Sequence, residues 1–113
     1  MGSLRNGTTG EVVAPHVSRA RAPWTRALGY LHRRNVDAVE GLWFDRCSSI
    51  HTVGLRASID VVFVDRQHAV VRIVSRARRN RVFHGGAQAA AVIELGPGVA
   101  ETRVRIGDRL RLE

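Results

Sequence analysis

Lysine is absent from this chain of 113 residues, cysteine occurs once, and apolar runs are short. Each shortage excludes something. With Cys47 alone, no intramolecular disulfide can form, and the redox compartment stays open. Its bland role is that of a small, partly buried hydrophobe. The longest apolar stretches, Val61 to Val64 and Ala87 to Ile93, fall well below the roughly 20 residues that cross a bilayer as a helix, so no transmembrane segment is expected. No charged-then-apolar signal pattern opens the chain, which fits a cytoplasmic protein as the sequence stands and leaves export open.

What is present points to one domain. The length suits a single unit, and 44% apolar residues suffice for a core without metal or disulfide support. The net charge is +8, and all 18 basic residues are arginine. Its distribution is uneven. Residues 1–34 carry +5, residues 35–71 carry −2, residues 72–86 carry +5 with no acid, and residues 87–113 are neutral. The positive charge therefore occupies two segments and spares the expected core.

Residues 1–10, rich in Gly, Ser and Thr, are expected to form a disordered tail ahead of a single domain over 11–113. Glu11 to Val17 reads as a first strand broken by Pro15. Pro23 suits the first turn of a helix, and Trp24, Leu28 and Leu31 recur on one helical face. That pattern predicts an amphipathic helix over Pro23 to Arg33. Gly41 to Phe44 and Ile50 to Leu55 read as short strands. Ser58 to Val64 is the strongest strand, with β-branched residues on both faces, as in a doubly covered position. Arg66-Gln67-His68 turns the chain into a returning strand, Ala69 to Val74. Arg76 to His84 reads as a basic loop, and Ala87 to Leu95 as a strand before the Gly96-Pro97-Gly98 turn. Val99 to Thr102 makes one helical turn, Ile106 to Asp108 a reversal, and Arg109 to Leu112 an edge strand. The pattern predicts an α+β fold, mainly β: a partly closed small barrel with one amphipathic helix packed on it.

From Glu11 onward the chain resembles the domain of unknown function 192 family. The resemblance is carried by Trp24 to Gly29, Glu40 to Phe44, Cys47 to Thr52, Ile59 to Asp65, Ala69 to Val74, Gly86-Ala87, Val92 to Leu95 and Gly107 to Leu110. It implies a small, mostly β fold with one packed helix, and no catalytic or cofactor residues. The chain departs from the family pattern at Leu55, at Ala57-Ser58, in the turn Arg66 to His68 and over Ala77 to Asn80. These departures thin the aromatic surface around the expected site.

That site is read from polar groups beside the strongest strand. Ser49, His51, Thr52 and Asp60, with Arg56 and the basic loop residues Arg76, Arg78, Arg79 and Arg81, form the expected ligand-binding set. A small anionic or polyhydroxylated ligand, or a protein partner, suits such a non-enzymatic binding or accessory domain. Two alternatives stand beside it. Ser49 or Cys47 with His51 could serve a hydrolase, which requires the nucleophile within about 3.2 Å of the imidazole. No nucleophile-elbow motif supports that reading. Arg76 to Arg81 could instead engage nucleic acid or an acidic partner, although the aromatic interleaving of a single-strand binder is missing. Cys47 and His51 supply two ligand types where zinc needs three or four, so no metal is expected. The glycine turns match no Walker or dinucleotide fingerprint, so no cofactor is expected.

Overall fold

Asp60–Val64, the strongest strand in the sequence, is buried at every residue because it is covered on both faces. Val62 and Val64 join one apolar cluster with Trp43, Ile93 and Leu95. Val61 and Phe63 join a second with Phe44, Ile59 and Val92. Alternation of period two sends consecutive side chains into opposite layers, so an uninterrupted β-branched run is what such a strand requires.

The computed structural model describes residues 2–20, 30, 31 and 33–113. Among them are nine strands: β1 (Gly2–Asn6), β2 (Val12–Arg19), β3 (Glu40–Asp45), β4 (Ser49–His51), β5 (Asp60–Val64), β6 (Val70–Val74), β7 (Val82–His84), β8 (Ala91–Leu95) and β9 (Leu110–Leu112). One short helix, α1 (Val99–Arg103), packs against β2 and β5. Seven strands form one sheet in the order β6-β5-β8-β3-β2-β1-β9, and β4 pairs with β7 separately. The pairing of β2 with β3 is parallel, and the other pairings are antiparallel.

The large sheet curls until its two edges meet at one corner. Ala69 bridges Arg109 just before β6 and β9 begin. The Val70 N–H donates to the Asp108 carbonyl at 2.8 Å, and the Leu110 N–H to the His68 carbonyl at 2.9 Å. Among the described residues the fold is thus mainly β, a half-barrel with one short helix; its β content and partial closure are as the sequence pattern predicts. The helix expected over Pro23 to Arg33 lies largely outside the described residues.

Three local expectations need correction. Residues 2–6 are strand β1, not a disordered tail. Leu4 is fully buried, and β1 is flanked by β2 and β9, so tertiary pairing orders a segment of weak intrinsic preference. Pro15 does not break β2. It lies beside the register shift against β1 and one residue before pairing with β3 starts at His16, where a missing N–H removes no ladder bond. The basic loop also ends early, since Val82–His84 pairs with β4.

Candidate functional site

The structure divides the expected site residues into internal pins and an exposed basic face. Asp60 is completely buried at the start of β5. One carboxylate oxygen accepts the Arg76 backbone N–H at 2.9 Å, and the other accepts the Ala100 N–H at 2.9 Å. Gly98, the residue preceding α1, has no side chain to cap the helix. Asp60 supplies that acceptor from a neighbouring strand, satisfying an amide that the helix geometry leaves open. It also fixes the start of the basic loop.

Thr52 is likewise buried. Its hydroxyl donates to the Arg78 carbonyl and accepts the Arg81 N–H at 3.0 Å. Its backbone N–H donates to Arg81 at 2.8 Å, and its carbonyl accepts from Asn80 at 3.1 Å. One threonine therefore holds residues 78–81 against the end of β4. The Asn80 side chain adds a further tie by accepting the Gly54 N–H at 3.3 Å.

Arg56, Arg78, Arg79 and Arg81 are exposed around this clamp. Arg79 donates to the Arg56 carbonyl at 3.2 Å, and Arg81 to the Asn80 carbonyl at 3.3 Å. Among the described residues none of the four guanidiniums meets a carboxylate. Arg76 is set apart from them, paired with Glu101 at 3.1 Å beside α1. His51 is exposed at the end of β4, and its Nδ1 accepts the Val53 N–H at 3.3 Å. Ser49 is half-buried opposite His84, and the Cys47 thiol donates to the Ser49 carbonyl at 3.1 Å. Among the described residues neither Ser49 Oγ nor Cys47 Sγ hydrogen-bonds the His51 ring. The nucleophile–base contact of the hydrolase reading is not assembled.

A second polar region lies at the other end of β5. β3 and β5 run parallel on either side of β8, and an Asp-Arg pair stands at the end of each. Asp45 ends β3 and is followed by Arg46, while Asp65 and Arg66 directly follow β5. Two adjoining cavities of about 720 and 560 Å³ open here. They share Arg46, Asp65, Arg66 and Ala90 in their linings. Asp45 and His68 line the smaller, and Ser48, Gln67 and Gln88 the larger.

The walls of this groove are fixed by specific contacts. The Trp43 indole N–H donates to Asp45 at 2.7 Å, and Arg19 forms an ion pair with the other carboxylate oxygen. Partial burial pushes the Asp45 carboxyl upward. The Trp43 hydrogen bond and the Arg19 guanidinium, helped by His68, outweigh it and hold the group below the usual carboxylate range. The His68 ring packs edge-on against Trp43 with centroids 4.9 Å apart. Asp65 Oδ1 accepts the Gln67 and Ala69 N–H groups, each at 2.9 Å, and so shapes the turn. Arg46 and His68 both have left-handed backbone, with φ of 53° and 64°. Non-glycine residues held there cost on the order of 1 kcal/mol each, and such positions concentrate at functional sites.

One buried acid was absent from the expected set. Glu94, 7% exposed in the second half of β8, accepts the Tyr30 N–H but leaves Oε1 without a hydrogen-bond partner among the described residues. Burial pushes its pKa up to about 7. Burial, reinforced by Glu40 and Glu94, also raises the Tyr30 phenol. The apolar setting Val92-Ile93-Glu94-Leu95 was a usable signal, because a lone acid inside a strand buried on both faces must enter the core.

Two solved structures share this fold. A protein of unknown function from Novosphingobium aromaticivorans DSM 12444 superposes with a TM-score of 0.83 at 22% identity, over 96% of this chain and 83% of that one. A candidate transcription regulator from Sinorhizobium meliloti 1021 superposes with a TM-score of 0.81 at 23% identity, over 97% and 90% of the two chains. No curated protein matches the chain. A family model described as "Uncharacterized ACR" matches residues 4–112, from the middle of β1 to the end of β9. With nearly the whole half-barrel inside that match, the chain belongs to the domain of unknown function 192 family.

Proposed function

We propose that this protein is a non-enzymatic binding module whose working surface is the basic face of Arg56, Arg78, Arg79 and Arg81, with His51 at its margin. Its partner is a polyanion. The reading rests on one observation: four exposed guanidiniums that have no carboxylate partner among the described residues surround a backbone pinned by Thr52. Anchoring lowers the ordering cost that a mobile basic loop would meet on binding. A guanidinium presents a planar fork of donors that matches phosphate and carboxylate oxygens. Thr52 and Asp60 serve this face by holding its backbone and do not touch the ligand.

The test is fluorescence anisotropy with a short labelled DNA duplex and with labelled polyglutamate, at low and at physiological salt. The expected result is binding that weakens steeply with salt. The triple variant Arg78→Gln, Arg79→Gln, Arg81→Gln should lower the salt slope on DNA by about three. Preference between the probes distinguishes a phosphate backbone from an acidic protein segment. Failure of both probes to bind at low salt, or equal binding by the variant, refutes the reading.

A further inference from the structure

Beyond the basic face, we infer that the groove between the ends of β3, β5 and β8 is a binding site for a neutral polyhydroxylated ligand, a short saccharide or polyol. The argument begins with register. Asp45 and Val64 both pair with Ala91, so Arg46 and Asp65 flank Ala90 from opposite sides. The Cys47 N–H donates to the Ala90 carbonyl at 3.2 Å, and the Ala90 N–H to the Val64 carbonyl at 2.8 Å, which confirms that alignment. Two inter-strand spacings put the flanking backbones about 10 Å apart. Each wall therefore carries one aspartate and one arginine, and the floor between them is Ala89, Ala90 and Ala91. Methyl-sized side chains leave that floor open to close approach.

Charge then selects the ligand. The charged lining residues, Asp45 and Asp65 against Arg46 and Arg66, sum to no net formal charge, with Arg19 outside the lining and paired to Asp45. The basic face has four arginines with no carboxylate partner among the described residues. An anion gains nothing at the groove that the basic face does not offer in greater measure. A hydroxyl is both donor and acceptor, and it suits walls that mix the two on each side. Gln67, Gln88 and Ser48 extend that mixed lining. Asp65 Oδ2 is not used by the turn, whose amides both bind Oδ1. Among the described residues the Arg66 guanidinium has no partner. Acceptor and donor thus stand on adjacent residues, an arrangement that can engage two neighbouring hydroxyls.

Pre-organisation supports the same reading. The left-handed backbone at His68 is held by its ring against Trp43 and by the Asx turn of Asp65, and Arg46 adopts the same backbone conformation on the opposite wall. Gly85 anchors the far wall. A side chain there would come within 2.5 Å of Phe63, so the loop carrying Gln88 sits directly on the core. The cavity volume matches the range of small-ligand clefts, roughly 300–1,000 Å³.

The test is a ¹⁵N-resolved NMR titration of the full chain with maltotriose, cellotriose, chitotriose and trehalose, each into the millimolar range, with inorganic phosphate as the anionic comparison. The expected result is saturable shifts at Ser48, Arg66, Gln88 and Ala89 with at least one sugar. The double variant Arg66→Ala, Gln88→Ala, which alters only exposed side chains, should weaken that binding roughly tenfold or more while its remaining spectrum stays native. Arg78→Gln, Arg81→Gln should leave it unchanged, so loss of one site is separable from loss of the other. The proposal is overturned if no sugar gives saturable shifts at these residues. It is equally overturned if the double variant binds like wild type, or if phosphate shifts the groove resonances more than any sugar does.

Discussion

Strand β5 is bracketed by two aspartates, and their surroundings give them different work. Asp60 is completely buried, and its two oxygens each take a backbone N–H from a different element. Asp65 is half-buried and lines the groove, and one oxygen takes both amides of its own turn while the other accepts no hydrogen bond among the described residues. Residue type is the same and the separation is one short strand. Burial and the origin of the donors decide which carboxylate joins distant segments and which remains available to a ligand.

Stability measurements can break that comparison. Asp60→Ala leaves two amides without their acceptor, the Ala100 N–H buried and the Arg76 N–H partly so, each costing roughly 1–3 kcal/mol, so a loss of about 4 kcal/mol is expected in urea denaturation. Asp65→Ala leaves its turn amides near solvent, and about 1 kcal/mol is expected. Equal losses for the two variants would show that burial does not separate their roles.

Glu94 sharpens the comparison, because it is buried without full satisfaction. Its folded pKa, raised by burial from 4.5 to about 7, lies above the unfolded value. The associated stability is therefore complete below the unfolded value and is lost as pH rises through the folded one. That gap corresponds to about 3 kcal/mol. Wild type should weaken between pH 5 and pH 8, whereas Glu94→Gln should show a flatter profile and exceed wild type at the alkaline end. Parallel profiles would mean that the carboxyl is solvated after all.

The smallest effect is expected at His68. Replacing it with glycine relieves left-handed backbone worth about 1 kcal/mol and removes an edge contact on Trp43 of similar size. His68→Gly should stay within about 1 kcal/mol of wild type in thermal unfolding. A larger loss would show that the ring is a principal support of the groove wall.

Much of the fold was legible because burial and turns leave local marks. The β5 run, the Asp65-centred turn, the strand ahead of Gly96-Pro97-Gly98 and the helical turn at Val99 all combine apolar patterning with a reversal signal. Strand β1 left no such mark. Gly2-Ser3-Leu4-Arg5-Asn6 holds one large apolar residue, and its order comes from two partners remote in sequence. Asp60 was read as part of a ligand-binding set, and the α1 amide it serves instead lies 40 residues away. The groove was hidden for the same reason, since residues 45–48, 65–68 and 87–91 meet only through sheet order. One trace was available: Phe44-Asp45-Arg46 and Val64-Asp65-Arg66 repeat the same apolar-acid-base ending on two buried strands.

The pairing of β1 with β9 also has a mechanical consequence. Ser3 and Glu113 exchange backbone hydrogen bonds of 3.1 and 2.8 Å, so the first strand starts and the last strand ends at one shared corner. Tension applied between residues 2 and 113 would load that antiparallel ladder one rung at a time, as a zipper, rather than shearing all its bonds together. A linker joining those two positions would need to bridge only a few ångströms.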